Sequence, residues 1–348
     1  MLIEKLVQKP DTVTYEELVY LLEKDDYTEK LFEAADEVRK RYVGDEVHLR
    51  GIIEFSNYCR RHCLYCGIRS ENKNIDRYRM TKEEIIERAK RITERGIKTI
   101  VLQSGEDPYY TAEMIADIVK SIKKMNVAVT LSLGEREEKD YELWKESGAD
   151  RYLMRHETAS EKLYNFLHPD SSFEMRVKHL KTLKKLGYET GAGCMVGLPG
   201  QGPKELALDL IFLRELDADM VGIGPFIPHQ DTPLGKEKAG DLKMCLKMIA
   251  LTRLLIPDSN IPATTAMGSI HPNGRELALK VGANVIMPNL TPAKYKPLYQ
   301  LYPNKICVFE SDMRCIPCMK KMITNLNRKV GTGFGSRKRT DVIHFEKV

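Results

Sequence analysis

The sequence predicts an α/β fold: a TIM-type (β/α)8 barrel with a helical N-terminal extension and a C-terminal cysteine-containing segment. Two observations point there. Eight short apolar, β-like runs alternate with amphipathic charged segments, and polar or glycine-rich groups follow the runs repeatedly, as in Gln103-Ser-Gly-Glu106 and Gly197-Leu-Pro-Gly200. Strict alternation of strand and helix yields a parallel sheet, and eight units match a closed barrel. A doubly wound open sheet shares the alternation; in either arrangement ligands bind beyond the carboxyl ends of the strands.

In chain order, residues 1–45 read as the helical extension. Thr14-Tyr-Glu-Glu17 supplies an N-cap followed by acids, and Leu31, Ala34, Ala35 and Val38 form a stripe near helical period. The barrel is expected over 46–300. Its strands are placed at 47–55, 99–103, 128–133, 151–155, 191–197, 220–223, 262–265 and 283–287. Its helices are placed at 82–94, 112–124, 137–146, 173–186, 204–215, 242–255 and 274–281, several of them stopping at a glycine such as Gly96 or Gly187. Residues 301–348 form the C-terminal segment, ending in a basic tail whose Arg337-Lys-Arg339 reads as a solvated charge run.

Composition excludes several classes. The formal net charge of +5, from 55 basic and 50 acidic residues, is too small and dispersed for nucleic-acid binding. No apolar run approaches the roughly eighteen residues of a membrane span, and the charged N-terminus lacks the blocks of a signal peptide. A cytoplasmic location is the expectation. Of the eight cysteines, six fall into two clusters, Cys59/Cys63/Cys66 and Cys307/Cys315/Cys318. Clustered thiols in a reducing compartment read as metal ligands, whereas Cys194 and Cys245 stand apart and read as core residues.

The spacing Cys59-x3-Cys63-x2-Cys66 directly follows the first barrel strand. Three thiolates on one short loop can hold three irons of a cubane 4Fe–4S cluster. The fourth iron is then open to chelate the amino and carboxylate groups of S-adenosylmethionine (SAM), whose sulfonium one electron cleaves to a 5′-deoxyadenosyl radical. The competing readings are a loose group of buried thiols and a zinc site with His62 as fourth ligand, but His62 abuts Cys63 and neighbours rarely reach one metal together. Tyr65, just before Cys66, also favours the radical chemistry.

Other motifs carry less. Gly191-Ala-Gly193-Cys-Met-Val-Gly197 approximates a dinucleotide fingerprint, but the third glycine is late and the run reads as strand. No Walker lysine follows Gly200, and Gln103-Ser-Gly supplies no nucleophile elbow. Glu157 and Arg176 suit the charged ends of a methionine moiety or, equally, an ion pair. Thr264-Thr265 alone reads as a strand end, and Tyr299 with Tyr302 as packing.

The cysteine loop, the stretch Gln103-Ser-Gly-Glu-Asp-Pro-Tyr-Tyr110 and the barrel pattern resemble the biotin-synthase-like branch of radical SAM enzymes. Within it, Tyr42–Arg50, Glu157-Thr158, Asp219–Phe226 and Ile261–Met267 resemble the HydE family of FeFe-hydrogenase maturases, over residues 30 to 325 or so. The resemblance implies SAM contacts at Tyr65, Ser104, Gly105, Glu106, Ser132, Glu157, Arg176 and Met195. It implies a substrate pocket at Gln103, Thr130, Arg155, Thr264, Thr265, Met287, Tyr299 and Tyr302. It further implies a substrate delivered by HydG, an iron–carbonyl–cyanide–cysteine complex, with HydF as product acceptor and an electron donor for the cluster. The second cysteine group would then hold an auxiliary 2Fe–2S or 4Fe–4S cluster; a zinc knuckle or plain surface thiols are the simpler readings. The alternatives are a methylornithine synthase like PylB, acting on lysine, and a non-catalytic iron–sulfur chaperone.

Overall fold

The computed structural model describes residues 2–308 and 313–339. Strands Gly51–Ser56, Thr99–Ser104, Ala128–Ser132, Arg151–Leu153, Glu189–Ala192 and Met220–Val221 pair in parallel, each with the next. Single parallel bridges complete the ring: Met220 to Asn260, Pro262 to Val285 and Ile52 to Asn289. Ile52 N donates to Pro288 O at 2.9 Å and Leu290 N to Ile52 O at 2.8 Å, closing the last position onto the first. The barrel is therefore the (β/α)8 barrel that the alternation predicts.

Three strand assignments need correction. The run predicted at 262–265 is bridged extended chain, because Pro262 has no N–H to give a ladder and Thr265 already begins the helix Thr265–Ile270. The run at 47–55 is two strands divided at Arg50: both run beside 285–289, but on the other edge Glu46–Leu49 pairs with Lys329–Val330 and Gly51–Ser56 with Thr99–Ser104. The run at 191–197 breaks at Gly193 into Glu189–Ala192 and Met195–Val196. A Cβ on Gly193 would lie 2.0 Å from Gly222 O, so the two backbones touch there and only glycine fits.

The seven predicted helices are present within a residue or two of their expected bounds. Thr81 and Glu84 form a reciprocal capping box on Lys82–Glu94, and that helix turns Ile85, Ala89 and Ile92 inward at helical spacing. Thr14 and Glu17 do the same for Tyr15–Glu23. Its Leu18, Leu21 and Leu22 are buried, and Lys247 of Leu242–Leu255 donates to the carbonyls of Leu21, Leu22 and Lys24, locking the extension to the barrel wall. The helices Glu161–Leu167 and Cys315–Asn325 lay outside the sequence prediction.

The stretch 331–339 crosses the amino ends of the barrel strands. Phe334 O accepts from Thr99 Oγ1 and Arg151 Nη2, both at 2.9 Å, and Gly335 O accepts from Arg50 Nη2 and Asn260 Nδ2 at 3.0 and 3.1 Å. Here the reading of Arg337 as a solvated charge is wrong. Its guanidinium is 5% exposed, donating to Asp258 Oδ1 at 2.6 Å and Asp219 Oδ1 at 3.2 Å, because barrel closure brings both acids beneath the tail. Arg339 is exposed but still pairs with Asp217 and Asp219. Removing one partner of a buried pair strands the other charge. Arg337→Ala is accordingly expected to lower the unfolding free energy by about 3 kcal/mol, read from urea denaturation curves with an unchanged slope.

Candidate active site

After Gly51–Ser56 the chain leaves the barrel mouth as a long loop without helix or strand, and side chains take over the work of the missing ladder. Asn57 Nδ2 donates to Asp76 O and Leu298 O at 2.8 and 2.7 Å, while its Oδ1 accepts from Tyr78 N at 2.8 Å. Arg77 donates to the carbonyls of Asn57, Ile68, Arg69 and Asn72. Arg69 donates to Cys63 O at 3.0 Å and His62 O at 3.1 Å. The loop is thus held in shape by protein contacts.

On it, Cys59, Cys63 and Cys66 are half-buried and line one cavity. Burial pushes all three thiols up, Cys66 to about 12; Cys63 also feels the charges of Cys66 and Cys59, and Cys66 that of Cys59. Three mutually repelling thiolates in a desolvated mouth require a cationic partner of soft character, which is what cluster iron offers. Glu106 N also points at Cys59 Sγ at 3.4 Å, an amide-to-sulfur contact suited to a thiolate. The residues fit a 4Fe–4S cluster. A Cβ on Gly105 would lie 2.3 Å from Tyr58 O and 2.7 Å from the Cys59 Cβ, so the Gln103–Glu106 stretch approaches the cluster loop as closely as backbone allows.

The cavity measures about 330 Å³ and lies at the carboxyl ends of the strands. A wider groove, about 720 Å³, runs along the outer face of Phe173–Lys185 among lysines and glutamates and includes no cysteine. Of the eight residues expected at SAM, seven line the inner cavity: Tyr65, Ser104, Gly105, Glu106, Ser132, Glu157 and Arg176. Met195 does not; it packs behind with Leu198, Phe226 and Tyr65. All eight expected substrate residues line the cavity, namely Gln103, Thr130, Arg155, Thr264, Thr265, Met287, Tyr299 and Tyr302.

The charged wall beside the cysteines is a network centred on an acid that sequence reading missed. Glu135 accepts from Arg61 Nη2 at 2.5 Å and Arg176 Nε at 2.7 Å. Glu106 accepts from Arg61 Nε at 2.6 Å, Arg60 Nε at 3.2 Å and Glu135 N at 2.9 Å. Glu106 thereby orders the loop. Burial works against the Glu135 charge, but Arg176 and Arg61 outweigh it and hold its carboxyl below the ordinary value. Tyr65 Oη lies 2.9 Å from His168 Nε2, while His168 Nδ1 is 2.9 Å from Tyr164 O. Burial brings His168 down to about 4, so the imidazole is neutral and accepts from the phenol.

Farther in, several buried polar atoms lack a hydrogen-bond partner: Arg155 Nε and Nη2, Glu157 Oε2, Thr130 Oγ1 and Arg50 Nε. Arg155 Nη2 and Glu157 Oε2 are 3.2 Å apart but poorly aligned. Natural interiors satisfy such groups, so this concentration in one cavity marks the seat of a polar ligand. Five lining cations (Arg50, Arg61, Arg155, Arg176, Lys305) face three lining acids (Glu54, Glu106, Glu157). The buried Glu54–Lys305 pair, with Asn289 Nδ2 donating to Glu54 at 2.8 Å, also escaped the sequence reading. Glu54 lies in an all-buried strand and looks there like an isolated anomaly, the one signal that was on offer.

Of the second group, Cys315 and Cys318 share one face of Cys315–Asn325, Cys315 buried and Cys318 exposed. Cys307 is half-buried with φ +65°, and residues 309–312 between them lie outside the described residues. Cys194 and Cys245 are fully buried, as expected of core thiols. No helix among the described residues is long and apolar enough to cross a membrane.

A thiol triplet at the mouth of a parallel barrel, above a polar cavity, is the architecture of a radical SAM enzyme, and residues 53–213 match the Radical SAM superfamily. The chain is 67% identical over 313 residues to the FeFe hydrogenase maturase subunit HydE of Thermotoga maritima, covering 90% of each. It is 32% identical over 268 residues to the 3-methylornithine synthase of Methanosarcina acetivorans, covering 76% of this chain and 75% of that one. The crystal structure of methylornithine synthase (PylB) superposes with a TM-score of 0.82 at 29% identity, covering 95% and 97%. HydG of Carboxydothermus hydrogenoformans shares the fold, with a TM-score of 0.79 at 22% identity over 94% and 77%. The chain belongs to the HydE family within the radical SAM superfamily, and its cofactors are accordingly a 4Fe–4S cluster and SAM.

Glu135 gives the site an acid limit. Its folded carboxyl titrates below the ordinary 4.5, so its contribution to stability is fully present above that value and is lost as pH falls through the lower folded one. Glu135→Gln is expected to flatten the acid limb of stability as pH falls below the ordinary carboxylate value, read from denaturation of the protein across the acid range.

Proposed function

We propose that this chain is a maturase of the FeFe hydrogenase that cleaves SAM reductively and acts on an iron–carbonyl–cyanide–cysteine complex. The single observation that carries the radical chemistry is the convergence of Cys59, Cys63 and Cys66 on the same cavity as the Gln103–Glu106 stretch. When bound, the cluster and SAM together supply a 5′-deoxyadenosyl radical. The protein's own part is to hold and to exclude. Cys59, Cys63 and Cys66 ligate iron. Tyr65, fixed by His168, offers its ring to the adenosine, and Glu157 and Arg176 take the charged groups of the methionine moiety, with Ser104, Gly105 and Ser132 lining its path. Met195 acts from behind, as packing under Tyr65. Arg155, Thr130, Thr264 and Thr265 present donors to the substrate, and Gln103, Met287, Tyr299 and Tyr302 shape its walls. An excess of cations suits an anionic iron complex.

The identity to a HydE, rather than the lower identity to methylornithine synthases, favours this substrate over lysine. On the same reading HydG delivers the complex, HydF accepts the product, a reduced protein donates the electron, and the setting is the cytoplasm. Cys307, Cys315 and Cys318 hold an auxiliary cluster that the SAM chemistry does not require.

Anaerobically reconstituted and reduced, the protein is expected to convert SAM into 5′-deoxyadenosine, and Cys63→Ala to abolish it, as followed by chromatography. Cluster-loaded protein that leaves SAM intact would return the chain to an iron–sulfur carrier, and turnover of lysine to methylornithine would replace the maturase reading. The double variant Cys315→Ala/Cys318→Ala is expected to lose iron and sulfide relative to wild type by elemental analysis while its rate of SAM cleavage stays within about twofold.

A further inference from the structure

The segment that carries Arg155 and Glu157 is bent in a way its own sequence does not favour. Glu157 has φ +64°, a left-handed conformation that a residue with a side chain keeps only when its surroundings impose it. Its N donates to Gly193 O at 3.0 Å and its O accepts from Met195 N at 2.9 Å. Between the two cavity residues, His156 is fully buried and hydrogen-bonded outside the cavity wall. Gly193 N donates to His156 Nδ1 at 3.2 Å, so the ring proton is on Nε2, which faces Asp209 Oδ1 at 3.1 Å. Asp209, from the helix Pro203–Leu216, is also fully buried and accepts from Ala159 N at 2.5 Å and Gln201 Nε2 at 3.4 Å.

One buried carboxylate therefore grips both sides of the bend, directly through Ala159 and indirectly through the imidazole and Gly193. Gly193 in turn is wedged against Gly222. The bend also steadies Arg176, whose Nη1 donates to Arg155 O at 2.6 Å. His156, Asp209 and Cys194 place ligand atoms within 4.8 Å of one another, a spacing that suits a metal ion. Both imidazole nitrogens and the carboxylate are, however, already engaged with protein donors and acceptors, which makes the group a hydrogen-bond bracket.

We propose that Asp209 and His156 are positioning residues for SAM: Asp209 selects the Nε2–H tautomer, and the resulting His156–Gly193 contact sets Glu157 with its carboxylate in the cavity. The inference rests on Glu157 being a SAM contact. Asp209→Ala tests it, because one oxygen, Oδ1, accepts from both the ring and Ala159 N. With that oxygen gone, His156 Nε2–H and Ala159 N–H both lose their acceptor; an asparagine would not test this, since its oxygen in the same place keeps both and gives up the long Gln201 contact alone. In the alanine variant both sides of the bracket open, and nothing fixes the tautomer of the ring.

The experiment uses full-length, cluster-loaded protein, with SAM affinity read from the change SAM makes in the electron paramagnetic resonance of the reduced cluster. Asp209→Ala and His156→Phe are expected to weaken SAM about tenfold at wild-type cluster content, with His156→Gln, which can still accept from Gly193 and donate to Asp209, recovering most of it. In Glu157→Gln protein, adding Asp209→Ala is expected to cost little more, since coupled residues are non-additive. Altered melting temperature with unchanged SAM affinity, or full additivity with Glu157→Gln, overturns the proposal. Nitrogen-15 NMR of oxidised wild-type protein decides independently of any variant: a His156 proton on Nδ1 also overturns it. Should wild type itself fail to bind SAM, the functional reading fails and not the bracket.

Discussion

Iron–sulfur ligation asks a protein to crowd like charges where water is scarce. Burial opposes each of the three thiolates, and Cys63 feels the other two as well. Acids reach the loop through its arginines, Glu106 and Glu135 pairing with Arg61 and Glu71 with Arg69. The structure uses arginines bonded to carbonyls. Arg77 donates to four main-chain oxygens and Arg69 to two in the loop. A guanidinium satisfied by neutral carbonyls keeps its full charge, so the groups that give the loop its shape also lower the cost of thiolate in it; Cys59 and Cys66 act on Arg77 in return.

The charged wall beside the cysteines follows another rule. There Arg61 and Arg176 are matched by Glu106 and Glu135, in a buried cluster whose members satisfy one another. A paired network of this kind gains rigidity more than stability, and rigidity is the useful quantity for a site that must hold a cleavable ligand in one pose. The Asp209–His156 bracket is the uncharged-ring counterpart one layer farther out.

What could be read from the sequence was local. The cysteine spacing, the Gln103–Glu106 stretch after a strand and the N-cap at Thr14 each lie within a few residues, and each was found where expected. What escaped was made by barrel closure. Arg61 and Glu135 are 74 residues apart, and Glu54 and Lys305 are 251 apart, so no window contains either pair. Arg337 was misread for the same reason: its acids, Asp219 and Asp258, reach it only through the fold. Met195 sits on a strand beside the cavity and failed only in which way it faces, a distinction of one residue in register.

The floor of the barrel completes the electrostatics. A cavity in which a reactive radical is released must exclude water, and the 331–339 stretch closes the amino end of the ring. It does so with carbonyl oxygens of Phe334 and Gly335. Arg50, fully buried and brought down to about 9 by that burial, thus meets neutral acceptors and no carboxylate. An acid in the tail would have neutralised it. The plug instead leaves positive charge at the base of the cavity, opposite a mouth lined by thiolates. An occupant that carries negative charge is drawn to the floor, while the cationic sulfonium of SAM is favoured beside the thiolates, and the two ligands are separated by the field of the barrel itself.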